Sequence, residues 1–255
     1  VSPVTLLIGA LLDSAWRRPD TVVTHTDTWF QSRTPSSPLS LHNSVRLAVL
    51  EEAQVDARID AVLTDHRDRS AEFMWTVTPR CRPVDLAQRL LARGLVQMDE
   101  AWGMVRDTRI PIERVPEDVV VSPLEPGDDE DYVAACVAAW GADNADPDAV
   151  RESLVLARGH GENQFFLARR DGRAIGTAHM RFPPGCGYLM GASVVPAQRG
   201  TGVYRALTEA RLQVLRARKV DVAGILAMVE TSGPACLRMG FEHVCTFHAF
   251  RQPGD

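Results

Sequence analysis

The sequence predicts an α/β fold, an α+β mixed sheet in two domains, each with a central, mostly antiparallel sheet flanked by helices. Three observations carry this expectation. Residues 116–255 run in the order α-α-β-β-β-α-β-α-β, which makes a mixed sheet with helices packed against it. The stretch 107–127 holds Pro111, Pro116, Pro123 and Pro126, which break any long element there. The 255 residues also suit two domains or one large one, at about 100–200 residues per domain.

The elements follow in order. Residues 4–12 are apolar, with no basic residue before them and Asp13 after them. They read as a first amphipathic helix, not a signal peptide or membrane span. Strands are expected at 21–30, 39–47 and 73–77, and a helix at 56–66. Past the prolines, Gly127 opens an acidic run at 128–131, read as an exposed loop feeding a helix whose N-terminus favours carboxylates. That helix, 130–140, places Val133, Cys136, Val137 and Trp140 on one face. A second helix, 147–156, has Asp146 placed as its cap. Strands at 164–168 and 174–182 flank the turn Arg169-Arg170-Asp171-Gly172, and Pro183-Pro184-Gly185 ends the second. A third strand covers 188–195. The helix at 205–218 continues a pattern of Val203, Leu207, Ala210 and Val214. A buried strand at 222–228, a short helix at 234–239 closed by Gly240, and a strand at 241–250 complete the chain.

Composition narrows the function. With 45% hydrophobic and 24% charged residues, disordered, collagen-like and low-complexity classes are excluded. The net charge of −5 is spread over both halves, so neither carries the positive excess that nucleic-acid binding requires. Cys81, Cys136, Cys186, Cys236 and Cys245 form no CxxC and no metal-like cluster with the histidines, which reads as reduced thiols in a cytoplasmic protein without a metal site.

The informative stretch lies between a strand and a helix: Val194-Val195-Pro196-Ala197-Gln198-Arg199-Gly200-Thr201-Gly202-Val203-Tyr204. A strand that stops at proline and turns through Gly-x-Gly into a helix exposes several backbone N–H groups at the helix's positive end, an anion cradle. The third glycine of a dinucleotide-binding loop and the Gly-Lys-Ser/Thr of a Walker loop are both missing. The loop resembles the acyl-CoA diphosphate loop of the GCN5-related N-acetyltransferase (GNAT) family, Arg/Gln-x-x-Gly-x-Gly/Ala, with Tyr204 where the family prefers glycine or alanine. Downstream, Leu237-Arg238-Met239-Gly240-Phe241 is similar to the family's closing helix and Gly-Phe turn. The resemblance spans about 118–250.

The resemblance implies acetyl-CoA as acyl donor. Its pantetheine arm would pair with the backbone of Ser193, Val194 and Val195 in a gap between splayed strands. Its diphosphate would rest on the N–H groups of Arg199, Gly200, Thr201, Gly202, Val203 and Tyr204. A small-molecule amine would attack directly in a ternary complex, helped by positioning, oxyanion stabilisation and proton handling. Where many relatives place a tyrosine to protonate the departing thiolate, this chain has Cys236, either an acid or a small buried helix residue. Ser232, with Thr231 beside it, is either a proton relay or a helix cap. His179 and Glu230 are the base candidates, with water as the alternative. His243 and His248 receive no role.

The N-terminal half is expected to be a degenerate copy. Laying 78–90 on 195–207 matches Pro79, Arg82 and Leu90 to Pro196, Arg199 and Leu207, and puts Pro83 and Asp85 at the glycines. Proline lacks the N–H, and aspartate repels a diphosphate. Residues 1–115 would then be a GNAT-like domain without a CoA loop that covers the acceptor side, with Trp29, Trp75 and Trp102 either lining the cleft or, as buried tryptophans more often do, packing the core. Residues 116–255 would be the catalytic domain, as in tandem GNAT proteins. Alternatives are an aminoacyl-tRNA-dependent aminoacyltransferase on the same fold, and a non-catalytic acyl-CoA-binding or self-resistance protein. No membrane partner is expected, nucleic acid enters only through the tRNA alternative, and the chain would be a monomer or homodimer.

Overall fold

The computed structural model describes residues 1–15, 17–141, 145–159 and 162–253. In chain order these form α1 (Pro3–Asp13), β1 (Val22–His25), β2 (Trp29–Arg33), β3 (Ser44–Ala48), α2 (Val55–Asp68), β4 (Met74–Val77), α3 (Leu86–Ala92), β5 (Val96–Asp107), β6 (Val120–Pro123), α4 (Asp129–Trp140), α5 (Pro147–Gly159), β7 (Asn163–Arg170), β8 (Arg173–Arg181), β9 (Gly187–Val194), α6 (Val203–Ala217), β10 (Val222–Met228), α7 (Ser232–Arg238) and β11 (Glu242–Arg251). They divide into two compact units. Val1–Gly103, Ala227–Pro234 and Val244–Asp255 make the first, and Met104–Leu226 with Ala235–His243 the second. The division falls inside β5, ahead of the proline-rich stretch.

In the first unit, Ser2 caps α1 by accepting from the Thr5 N–H at 3.2 Å, and Pro3 starts the helix without losing a hydrogen bond. β1, β2 and β3 pair antiparallel, and β3 then pairs parallel with β4 at Ser44↔Met74 and Val45↔Trp75. β11 lies antiparallel on the other side of β4, His248 opposite Val77. Val55, Ile59, Val62 and His66 recur at helical spacing on α2 and are buried. Val55, Ile59 and Val62 pack on Trp29, Phe73, Trp75 and Phe250. Trp29 and Trp75 meet edge to face at 5.8 Å.

The second unit orders its strands β10-β9-β8-β7-β6, antiparallel except for β9 with β10. The β7–β8 hairpin turns at Asp171 and Gly172, both at positive φ, the requirement of a two-residue turn matched to strand twist. The acidic run opens α4, and its carboxylates meet arginines. Arg169 binds Asp128 at 2.8 Å and Asp131 at 2.9 Å, Arg158 binds Asp129 at 2.6 Å, and Arg151 binds Glu130 at 2.9 Å. No group of three or more metal-ligating side chains occurs among the described residues, and no helix there is long and apolar enough to cross a membrane.

Several elements differ from expectation. The strand expected at 21–30 is two, β1 and β2, because the chain turns back at 26–28, where Thr26 Oγ1 accepts from the Trp29 N–H at 3.0 Å. The one expected at 39–47 begins with a single 3₁₀ turn, Ser40–His42, before β3. β6 arises among the prolines, and as an edge strand it tolerates Pro123.

The register of the internal repeat is also corrected. The orders β1-β2-β3-α2-β4-α3-β5 and β7-β8-β9-α6-β10-α7-β11 correspond, and in each the third and fourth strands pair in parallel. The counterpart of the loop between β9 and α6 is therefore 49–54, between β3 and α2. Residues 78–85 instead follow the fourth strand, as 229–231 do in the second set. Three isolated identities cannot outweigh strand pairing. The segment Val49-Leu50-Glu51-Glu52-Ala53-Gln54 has no glycine and carries two carboxylates. Gly94 at φ +83° and Gly240 at φ +80° then end the matching short helices α3 and α7.

Candidate active site

The loop into α6 is built as an open cradle. Gly200 and Gly202 hold φ of +79° and +88°, a region that favours glycine. A Cβ on Gly202 would sit 3.1 Å from Pro116, whereas one on Gly200 would meet nothing within 4 Å. Gly202 thus packs the loop down, and Gly200 leaves its outer face clear. The first N–H groups of the 15-residue helix α6, starting at Val203, have no intrahelical acceptor and carry its positive end. Arg199 does not project from the loop. Its guanidinium donates to the carbonyls of Val194 at 3.2 Å and Ala139 at 2.8 Å. Arg170 donates to Thr201 Oγ1 at 3.0 Å and to Gln198, and pairs with Asp118 at 2.8 Å. These arginines fix the loop while adding positive charge around it.

Beside the loop, the parallel register of β9 with β10 runs from Gly187↔Ala223 to Leu189↔Ile225 and ends there. On its other edge β9 stays paired with β8 as far as Gly176↔Val194, with an irregularity where Ser193 and Met190 oppose Thr177 and His179. Gly191, at φ +52°, lies in that bulge, and a Cβ there would collide with the His179 ring at 2.5 Å. Ser193 Oγ lies 2.8 Å from Thr177 Oγ1, which lies 3.3 Å from Cys136 Sγ. The Val195 N–H is already committed to the Ile175 carbonyl at 3.0 Å.

Tyr204 and Cys236 come together, the phenolic oxygen 3.4 Å from the sulfur. Burial pushes both pKa values up, so both groups hold their protons at neutral pH. Cys236 has no exposed surface, whereas Tyr204 is half-buried. Arg211 of α6 is fully buried and donates to the carbonyls of Leu207 at 3.1 Å, Met190 at 3.3 Å and His179 at 3.4 Å. Burial lowers its pKa, opposed by Tyr204, Cys236 and Tyr132. It ties α6 to the bulged part of the sheet.

His179 is buried and stacked on Phe165 at 5.3 Å. Burial, then Arg211 and Arg181, bring its pKa down to about 3, so it is neutral and shielded. Glu230 and Ser232 belong to the first unit. Glu230 is exposed, and Ser232 Oγ accepts from the Met228 N–H at 2.9 Å, a structural role. In the sequence Arg211 reads, with Arg205, Arg216, Arg218 and Lys219, as part of a basic cluster on a solvated helix face, and its full burial corrects that reading; Tyr132 is not singled out there, and Tyr204 only as a departure from the loop pattern. The one available signal for Arg211 was an arginine among the apolar positions of α6.

Residues 129–241 match the acetyltransferase (GNAT) family. The matched stretch covers the cradle, the β9 edge and Cys236. A mycothiol acetyltransferase of Thermobispora bispora is 34% identical over 171 residues, 60% of this chain and 56% of the relative, so the alignment spans little more than half that protein's length. Among solved structures, a GCN5-related N-acetyltransferase from Kribbella flavida superposes with a TM-score of 0.71 at 14% identity, covering 99% of this chain and 96% of its own. A tandem GNAT protein from the clavulanic acid biosynthesis pathway superposes with a TM-score of 0.63 at 14% identity, covering 97% and 89%. At that identity the likeness is one of fold.

Proposed function

We propose that the chain is an acetyl-CoA-dependent N-acetyltransferase that acylates the amine of a small molecule by direct attack in a ternary complex. The observation that carries this reading is the open face at Gly200 over the N-terminus of α6, next to a β9 edge released from β10 after Leu189. These features fit the donor. The N–H groups of 200–204 receive a diphosphate, and the free edge of β9 offers backbone partners to an amide-bearing arm. Acetyl-CoA supplies an activated thioester.

The residues divide the remaining work. Gly200, Thr201, Gly202, Val203 and Tyr204 bind, Arg199 and Arg170 hold the loop, and Ser193 anchors the bulged strand through Thr177. Tyr204, half-buried and in contact with Cys236, holds the proton needed at the donor's sulfur. Glu230 is the carboxylate proposed to take the proton from the amine, and Glu230→Gln tests it. The catalytic half is the one with the cradle. The N-terminal half, with glutamates and no glycine at 49–54, binds no acyl-CoA. The curated relative's name puts the mycothiol system first among acceptors to assay.

Isothermal titration of the full chain with acetyl-CoA tests the reading, followed by an acetylation assay against an amine panel. Saturable binding and acetyl transfer are expected. Absence of detectable acetyl-CoA binding overturns it, and acyl transfer only from aminoacyl-tRNA replaces it with the tRNA-dependent alternative.

A further inference from the structure

Strand β9 changes its surroundings within a few residues. Leu189 is its last residue in register with β10, opposite Ile225. On the β8 side Met190 opposes His179 and Ser193 opposes Thr177, so Gly191 and Ala192 together face Ala178 alone. Two residues against one is a β-bulge, which bends the strand and re-aims its edge. Gly191 is exposed there, and Met190, Ala192 and Val194 are half-buried, so the bulged edge is open.

Both rims of the bulge are pinned. On one, the hydroxyl oxygens of Ser193 and Thr177 lie 2.8 Å apart. On the other, Arg211 Nη1 donates to both carbonyls of the opposed pair, Met190 at 3.3 Å and His179 at 3.4 Å. The other guanidinium nitrogens are committed too, Nε to the Leu207 carbonyl at 3.1 Å and Nη2 to Thr208 Oγ1 at 3.4 Å. With all three nitrogens engaged the group has one orientation. It meets β9 one residue beyond the last pair with β10.

Such a side chain is costly. Arg211 is fully buried, and its partners among the described residues are carbonyls and a hydroxyl, with no carboxylate. A buried charge answered only by dipoles is disfavoured against an apolar side chain of similar volume. Helix α6 needs no charge to pack, since Leu207, Leu212 and Leu215 are fully buried on it. A methionine at 211 would pack as well, but it could not hold carbonyls of two strands at one point.

We propose that Arg211 is a positioning residue for the acyl donor: by clamping the Met190 and His179 carbonyls it holds the bulge in β9 and so fixes the strand edge along which the donor's amide-bearing arm lies. Being fully buried, it acts through the strand and not on the donor itself. The proposal rests on the acetyl-CoA reading of that edge. The diphosphate cradle has its own supports in Arg199 and Arg170, so loss of Arg211 should reach the arm and spare the diphosphate.

Calorimetric titration of the full chain with acetyl-CoA and with 3′-phosphoadenosine 5′-diphosphate, the same nucleotide without the arm, separates the two. The unsubstituted chain binds both, acetyl-CoA more tightly. Arg211→Met is expected to weaken acetyl-CoA binding at least tenfold and the armless nucleotide less than twofold. Arg211→Lys, which keeps the charge and one donor nitrogen, should lose about threefold for acetyl-CoA, a partial rescue, again with the armless nucleotide unchanged; it decides the matter if the methionine variant does not fold. Equal losses for both ligands in a variant with an unchanged circular dichroism spectrum, or no loss of acetyl-CoA affinity in the variants that fold, overturns the role of Arg211 and leaves the donor reading standing. Failure of the unsubstituted chain to bind acetyl-CoA overturns both.

Discussion

The hydroxyl of Tyr204, in the first turn of α6, lies 3.4 Å from the sulfur of Cys236 in α7. Two residues 32 positions apart thus share one proton-bearing corner of the second unit. Cys236 has no exposed surface, whereas Tyr204 as a whole residue is half-buried, and in the proposed function Tyr204 is the proton donor.

Replacing Tyr204 with phenylalanine is expected to lower kcat by about 10²-fold, the low end of general acid catalysis, with KM for acetyl-CoA changed less than about threefold. Cys236→Ala should lower kcat by less than about fivefold, since it removes a neighbour and not the donor. Steady-state kinetics on the two variants decide the matter. The reverse ranking would move the acid to the thiol.

Charge at Gly200 can be separated from backbone strain. Its φ of +79° is one that Asn and Asp both tolerate better than other residues. Gly200→Asp should weaken acetyl-CoA binding by about tenfold or more, a loss of about 1.4 kcal/mol, while Gly200→Asn loses much less. Calorimetric titration of both provides the comparison.

Trp75 is fully buried at the centre of the first unit, packed edge to face on Trp29. Trp75→Ala should cost about 3–5 kcal/mol, because the cavity adds to the lost transfer energy. Urea unfolding followed by circular dichroism measures it.

Two buried histidines set an acid limb. His66 has a folded pKa of about 4 and His179 of about 3, against 6.5 ordinarily. The unfolded chain therefore binds protons that the folded chain refuses. Stability is complete above about pH 6.5 and falls as the pH drops toward 4, by up to about 1.4 kcal/mol per pH unit for each ring. His66→Phe, which keeps the stack on Phe73, should flatten that slope. Unfolding free energies measured at about pH 7 and about pH 4.5 for both chains test the sign.

Local punctuation made part of this legible. The Asp171-Gly172 turn, the apolar repeat of α6 and the Gly200/Gly202 pair each declare themselves within a few residues, because turn geometry and helical periodicity are short-range constraints. What stayed hidden depends on pairing between distant residues. Nothing near Tyr204 announces Cys236, and nothing in 242–251 announces that β11 lies beside β4. The repeat was visible but slipped, since three matching letters fixed an alignment that the parallel pairs Val45↔Trp75 and Leu189↔Ile225 place elsewhere. The burial of Arg211 was unreadable for another reason: the carbonyls that make it tolerable come from β8 and β9 as well as its own helix.

The path of the chain bears on how the protein can be taken apart. The first unit draws on three separate stretches, and from His248 to Arg251 β11 has its antiparallel partner in β4, some 170 positions earlier in the sequence. A scissor cut at residue 115 would therefore strand β11, leaving a row of backbone donors and acceptors open to any other strand it met. Fragments made that way should clump when expressed singly and recover solubility when the two pieces are produced together. Excision of the cradle-bearing half as a minimal enzyme is thus the wrong engineering route; shortening belongs in surface loops that leave the β4–β11 seam whole.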